Sequence, residues 1–254
     1  MERVSFATAT SRVGCPKKIT CGGERRAFVS CRTVADARSS RPSLYPTRSS
    51  AGAILGQQLA GQGYQSCILL GITPEGVEIA AHAAKAMGAQ FDVIVASFIK
   101  LGSNLAPIGA MAESAPAEMD PDFMPGMNLL EKLQAAIDES RARVKQDLVL
   151  YRTQRPVKNL QGRTVVIVDG QIVYPWKVLA AAKAAEQLGA RQVIIAAPVA
   201  AAPAADRIRA RQYPLVCPSV VLEAEGHPAP YGDAGAGAEG PERLKSIMIA
   251  HQAA

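Results

Sequence analysis

From about residue 51 the chain alternates unbroken apolar runs with stretches in which apolar residues return every three or four positions. The runs at 66–72, 91–97, 108–113, 164–169 and 192–197 predict strands, and 220–222 predicts an edge strand. Runs that are continuous rather than alternating belong to strands covered on both faces, as in a parallel sheet. Helices are predicted at 76–88, 176–188, 204–212 and 241–250. A long helix is marked by Leu130, Leu133, Ile137, Val144 and Leu148 at 3.6-residue spacing, with Asn128 and Glu131 as its capping pair. A Pro- and Met-rich stretch, 115–127, precedes it, and 226–241 is a Gly/Pro/Ala-rich loop. Repeated strand-loop-helix units give an α/β fold: a doubly wound, mostly parallel sheet with helices on both faces. Such sheets bind ligands at the carboxyl ends of their strands, which selects two loops, 72–76 and 169–177.

Charge divides the chain of 254 residues in two. Residues 1–50 hold ten Lys or Arg against three acids, whereas the remaining 204 hold 18 basic and 19 acidic side chains. The +6 of the whole therefore belongs to a leader, and the body, 51–254, is close to neutral. A nucleic-acid binder would need that charge on its folded surface, so no nucleic-acid partner is expected. The leader, with thirteen Ser or Thr in fifty residues, much Arg and few acids, has the composition of an organelle transit peptide. A chloroplast address fits it best, with a mitochondrial one as the alternative and a disordered basic tail as the plain reading. No window approaches 18 consecutive apolar residues, so no membrane span is expected. Cys15, Cys21 and Cys31 fall in the leader, and Cys67 and Cys217 alone make neither a disulfide framework nor a zinc site. His82, His227 and His251 lack metal-ligand spacing, and no metal site is predicted.

The stretch Leu160-Gln161-Gly162-Arg163-Thr164-Val165-Val166-Ile167-Val168-Asp169, its Ala-rich helix, and Val193-Ile194-Ile195-Ala196-Ala197-Pro198-Val199 resemble the phosphoribosyltransferase family, type I, and within it the stand-alone bacterial-type members. Other pieces match in order: Gly76-Val77, Met87-Gly88-Ala89, Phe91 to Val95, Lys100-Leu101-Gly102, Ile108 to Glu113 and Tyr151-Arg152. The resemblance implies a phosphoribosyltransferase-like domain. It also implies a chemistry in which phosphoribosyl pyrophosphate is bound with magnesium and a nitrogenous nucleophile displaces pyrophosphate. In that family two adjacent acids hold the ribose hydroxyls, and a loop of small residues offers backbone N–H groups to the 5′-phosphate.

The sequence departs from the pattern at both loops. The first acid is Asp169, but the second is Gly170. Where the phosphate loop reads Ala-Thr-Gly-Ala-Thr, this chain has Val173, Tyr174, Pro175, Trp176 and Lys177. Pro175 has no N–H to give, and the rings of Tyr174 and Trp176 stand where a close backbone approach needs a small residue. In the pyrophosphate loop Thr73-Pro74-Glu75-Gly76 replaces Pro-Arg-Gly-Gly. A lost charged hydrogen bond costs about 1.5–3 kcal/mol, and several together lower affinity on the order of a thousandfold. The candidate site is a remnant crevice of Asp169, Gly170, Thr73, Gly76, Lys100 and Lys177, with Trp176 plugging the phosphate pocket and no residue assigned to catalysis. The expected function is a phosphoribosyltransferase-like organellar binding or assembly component without transfer activity, engaging a protein partner or a second copy of itself. The alternative is a phosphoribosyltransferase, or an enzyme of sugar-phosphate or nucleotide metabolism, with an altered site. No cofactor is expected, and Mg2+ only where binding of the phosphoribosyl pyrophosphate type survives.

Overall fold

The computed structural model describes residues 43–72, 75–152, 158–222, 230–233, 244 and 246–248. All of them fall in the second of two units into which the chain divides, Ser39–Ala254. In chain order the elements are α1 (Arg48–Gly61), β1 (Cys67–Ile72), α2 (Glu75–Met87), β2 (Gln90–Ile94), β3 (Ala96–Ile99), β4 (Gly109–Ala112), β5 (Glu118–Met119), α3 (Leu130–Arg152), β6 (Thr164–Val168), β7 (Gln171–Ile172), α4 (Trp176–Gln187), β8 (Gln192–Ala196), β9 (Val199–Ala201), α5 (Ala202–Ala210), β10 (Leu215–Val216) and β11 (Ser219–Val221).

The continuous apolar runs have the predicted cause. β10-β8-β6-β1-β2 form one five-stranded sheet, every pair parallel. Its alternate residues enter two separate cores. Ile68, Leu70, Val165, Ile167, Val193 and Ile195 pack with α4 and α5. Leu69, Val93, Val166, Val168 and Ile194 pack with α1 and α2. The sheet is doubly wound, and its order reverses between β1 and β6, so the crevice lies between the loops at 72–76 and 169–177.

Beyond that crevice three strands continue. The chain breaks at Asp169-Gly170, Ala197-Pro198 and Cys217-Pro218 and resumes as β7, β9 and β11, which pair in the same order as the strands before them. Proline has no N–H for the ladder, which accounts for two of the breaks. Among the predicted strands, 91–97 divides in two. β2 ends at Ile94 and β3 opens a separate antiparallel sheet, β3-β4-β5. Val95 is the pivot: its N–H donates to Glu113 Oε1 at 3.1 Å and its carbonyl accepts from the Glu113 N–H at 3.0 Å.

Two further expectations shift. Asn128 lies inside a short 3-10 turn, Met127–Leu129, which makes no side-chain cap and leads directly into α3. The folded body begins before residue 51. Tyr45 is buried, its N–H donates to the Pro230 carbonyl at 2.9 Å, and Thr47 and Ser50 form a capping box that starts α1. The leader up to residue 42, most of the 226–241 loop and most of the 241–250 helix lie outside the described residues, although Leu244 and 246–248 are helical. No helix among the described residues is long and apolar enough to cross a membrane.

Candidate functional site

Asp169 follows the last residue of β6 and is 4% exposed. Its own N–H donates to the Ala196 carbonyl at 3.2 Å, which fixes the strand end. Both carboxylate oxygens have internal partners. Oδ1 accepts from the Gly170 N–H at 2.8 Å, and Oδ2 lies 3.5 Å from Lys177 Nζ. Gly170 in turn offers its carbonyl to the hydroxyl of buried Tyr231, which donates to it. Tyr231, from a segment far along the chain, is therefore bonded to the remnant acid loop itself.

Next comes a two-residue strand: Gln171 and Ile172 run in register with Val199 and Ala200 of β9. The residues that stand in place of the family's phosphate loop follow it, as bends at 173–175 and the first turn of α4. Among them Pro175 has no N–H to give. Pro175 then precedes α4 and makes no side-chain cap. Lys177 stands in the first helical turn, where the macrodipole favours an acid, and the nearby Asp169 carboxylate offsets that mismatch. The Lys177 ammonium thus occupies the end of the helix at which an anion would gain most.

On the other side of the crevice Gly76 opens α2. A Cβ there would press into the Val168 carbonyl oxygen and lie 3.0 Å from Asp169 Cα. The β1–α2 turn is therefore packed backbone to backbone against the end of β6. Thr73 and Pro74 lie outside the described residues, as does the side chain of Glu75. The Trp176 indole is 3% exposed within the α4 core, and the Arg207 guanidinium lies 5.4 Å from its ring centroid. The structure gives the contact with Asp169 to Lys177.

Lys100 follows β3 and is brought to Lys177 by a residue that sequence reasoning missed. The Lys177 ammonium lies 4.9 Å from the Phe98 ring centroid, Lys100 lies 5.8 Å from it, and Tyr174 meets the same ring edge-on at 6.3 Å. Both lysines line a cleft of about 630 Å³ that also reaches Lys132 and Arg143 of α3. Neither of these α3 residues carried a sequence signal, because each reads as an ordinary charge on a solvated helix face. Burial pushes the Cys67 thiol up to about 11 and also raises that of Cys217, which favours the neutral thiol in both.

Among the described residues no three His, Cys, Asp or Glu side chains converge on a point where a metal ion could be held. The magnesium and phosphoribosyl pyrophosphate that the resemblance implies do not fit the residues present. One acid of the pair is Gly170, the other is bonded within the chain, and the residues in place of the phosphate loop include Pro175, which has no N–H.

No family model matches the chain. A curated protein of Mycobacterium tuberculosis, provisionally named a phosphoribosyl transferase and present in two strains, is 30% identical over 160 residues, 61% of this chain. The match spans only 36% of that relative's length. Among solved structures, TT1426 from Thermus thermophilus is 27% identical with a TM-score of 0.65, covering 81% of this chain and 97% of that one. A purine phosphoribosyltransferase from Pyrococcus horikoshii aligns at 16% identity and a TM-score of 0.39, over 71% of this chain and 87% of that one, a likeness too loose to carry residue roles across. The α/β sheet, its strand order and the sequence around Asp169 lead to one statement: this chain resembles the phosphoribosyltransferases of type I.

Proposed function

We propose that the protein is a phosphoribosyltransferase-like binding or assembly component without phosphoribosyl transfer activity. The observation that carries this reading is the internal engagement of Asp169. A buried carboxylate already bonded to its own loop and facing Lys177 has less acceptor capacity left for ribose hydroxyls. The loss of a backbone donor at Pro175, among the residues in place of the phosphate loop, supports the same conclusion. The Ser/Thr- and Arg-rich leader supports work in an organelle, the chloroplast first and the mitochondrion as alternative, with a protein partner or a second copy of the chain as the bound species. Neither the transfer step nor its magnesium has a place in this reading.

Isothermal titration with phosphoribosyl pyrophosphate and Mg2+ tests it. No micromolar binding through the crevice is expected. Micromolar binding that Asp169→Ala removes would overturn the proposal. The second reading, an altered enzyme of sugar-phosphate or nucleotide metabolism, is favoured by one observation, the convergence of Lys100 and Lys177 on Phe98.

A further inference from the structure

α3 buries its small residues and leaves its large ones at the side. Ala136, Ser140 and Val144 are buried, whereas Leu133, Ile137 and Leu148 of the stripe that the sequence predicts are only half-buried. The Ser140 hydroxyl donates to the Ser97 carbonyl at 3.2 Å, which holds the helix against β3 by this small face. Turned this way, Ile137 and Leu148 flank an apolar groove whose floor is Met111 and Val144. The opposite wall is the β4–β5 turn, where Ser114, Ala115, Pro116 and Ala117 all have short side chains. Ser114 enters that turn at a φ of 60°, a left-handed conformation uncommon outside glycine. A helix rotated to one side and a turn of small residues on the other leave a concavity of about 580 Å³, within the range of small-molecule sites. None of its lining residues belongs to the crevice at Asp169 or to the cleft of Lys100 and Lys177.

The charged groups around the groove are of unequal standing. Glu113 lines it but is buried, and its Oε1 accepts from the Val95 N–H at 3.1 Å. Arg141 and Lys145, one helical turn apart, are exposed on the groove side of α3. Arg141 meets Asp138 at 2.5 Å, an exposed pair of little strength, and among the described residues Lys145 makes no ion pair. Cations at the rim of an uncovered apolar trough select an occupant that is apolar along its length and anionic at one end. One face of α3 and one turn fall well short of the roughly 20–30 residues a side of a stable protein interface, so the occupant is small.

We propose that this groove binds a small amphipathic carboxylate, a straight acyl chain of medium length, with its methylenes on Met111, Ile137, Val144 and Leu148 and its carboxylate at Lys145 and Arg141. The site goes beyond the proposed loss of phosphoribosyl transfer and stands without it, because it uses no residue of the crevice.

Calorimetric titration of the full chain with hexanoate, octanoate and decanoate tests the proposal. Saturable one-to-one binding of decanoate is expected, about four- to fifteenfold tighter than that of octanoate, since each buried methylene adds to affinity. Octanol should bind about fivefold more weakly than octanoate, and Lys145→Gln should weaken octanoate by the same factor while leaving octanol unchanged. Lys85→Gln makes the same change of charge on exposed α2 surface and should alter nothing. Ala117→Phe fills the groove from the turn and should abolish binding of every chain length. Lys145→Gln, at an exposed position, keeps the test decisive where Ala117→Phe fails to fold. Absence of saturable binding overturns the proposal, as does an affinity that does not rise with chain length, or an equal loss in Lys85→Gln and Lys145→Gln. Self-association of the full chain that Ala117→Phe abolishes, with no decanoate bound, would give the groove to a second copy of the chain and overturn it as well.

Discussion

Asp169 and Gly76 show how two residues that resemble parts of a site come to serve the scaffold. The carboxylate keeps its place at the strand end but turns inward, to its neighbour's N–H and to a lysine. Gly76 keeps its place because the turn it occupies lies against the backbone of Val168 and Asp169. A ligand-binding glycine leaves room for the ligand, whereas this one leaves room for a peptide group. Gly76→Ala is therefore expected to destabilise the fold by about 1–3 kcal/mol, as over-packing against fixed backbone does. Urea unfolding would show it as a lower midpoint at unchanged slope. An unshifted midpoint would mean that the turn has slack and that the crevice is not closed from this side.

At the scale of elements, the buried strands were legible because both of their faces are covered. An apolar run such as Val165-Val166-Ile167-Val168 has one economical home in an α/β protein. α1 was not legible. Its buried face is Ala51, Gly52, Leu55, Gly56 and Leu59, which looks weakly apolar and carries glycines that lower helix propensity. Those glycines are contact residues: a Cβ at Gly52 would lie 2.8 Å from the Ile79 carbonyl oxygen, and one at Gly56 2.6 Å from that of Ala83, both on α2. Short β7 and β10 escaped notice because two residues have no period. The remnant acid of the site was legible as a motif, but Lys177, which faces it, Phe98, which lies under that lysine, and Tyr231, which bonds Gly170, come from three other segments, and only the fold brings them together. The start of the body follows from the same contacts. Tyr45 donates its hydroxyl to the Pro198 carbonyl at 3.1 Å, Thr47 caps α1, and Asp233 receives the Arg48 N–H at 3.2 Å at the positive end of that helix. A chain starting at residue 43 should match the full chain in thermal stability. One starting at residue 51 loses the cap, about 1 kcal/mol, and the buried Tyr45 ring, about 2 kcal/mol, and should melt several degrees lower. Equal melting temperatures for the two truncations would show that residues 43–50 add nothing to the body.

For the whole molecule, the position of charge decides more than its sum. Residues 43–254 carry nineteen basic and nineteen acidic side chains, so the +6 of the chain lies entirely in residues 1–42. A polyanion samples surface charge over many ångströms and responds to that sum, because its binding is driven by release of many counterions at once. Retention by a polyanion is therefore expected to go with the first 42 residues. On a heparin column at low salt the full chain should be retained and eluted by a modest salt step, within the range where exposed charges are screened. The chain starting at residue 43 should pass through unretained. Equal retention of both forms would mean that the body carries a basic surface of its own, and the division between a charged leader and a neutral body would fail with it.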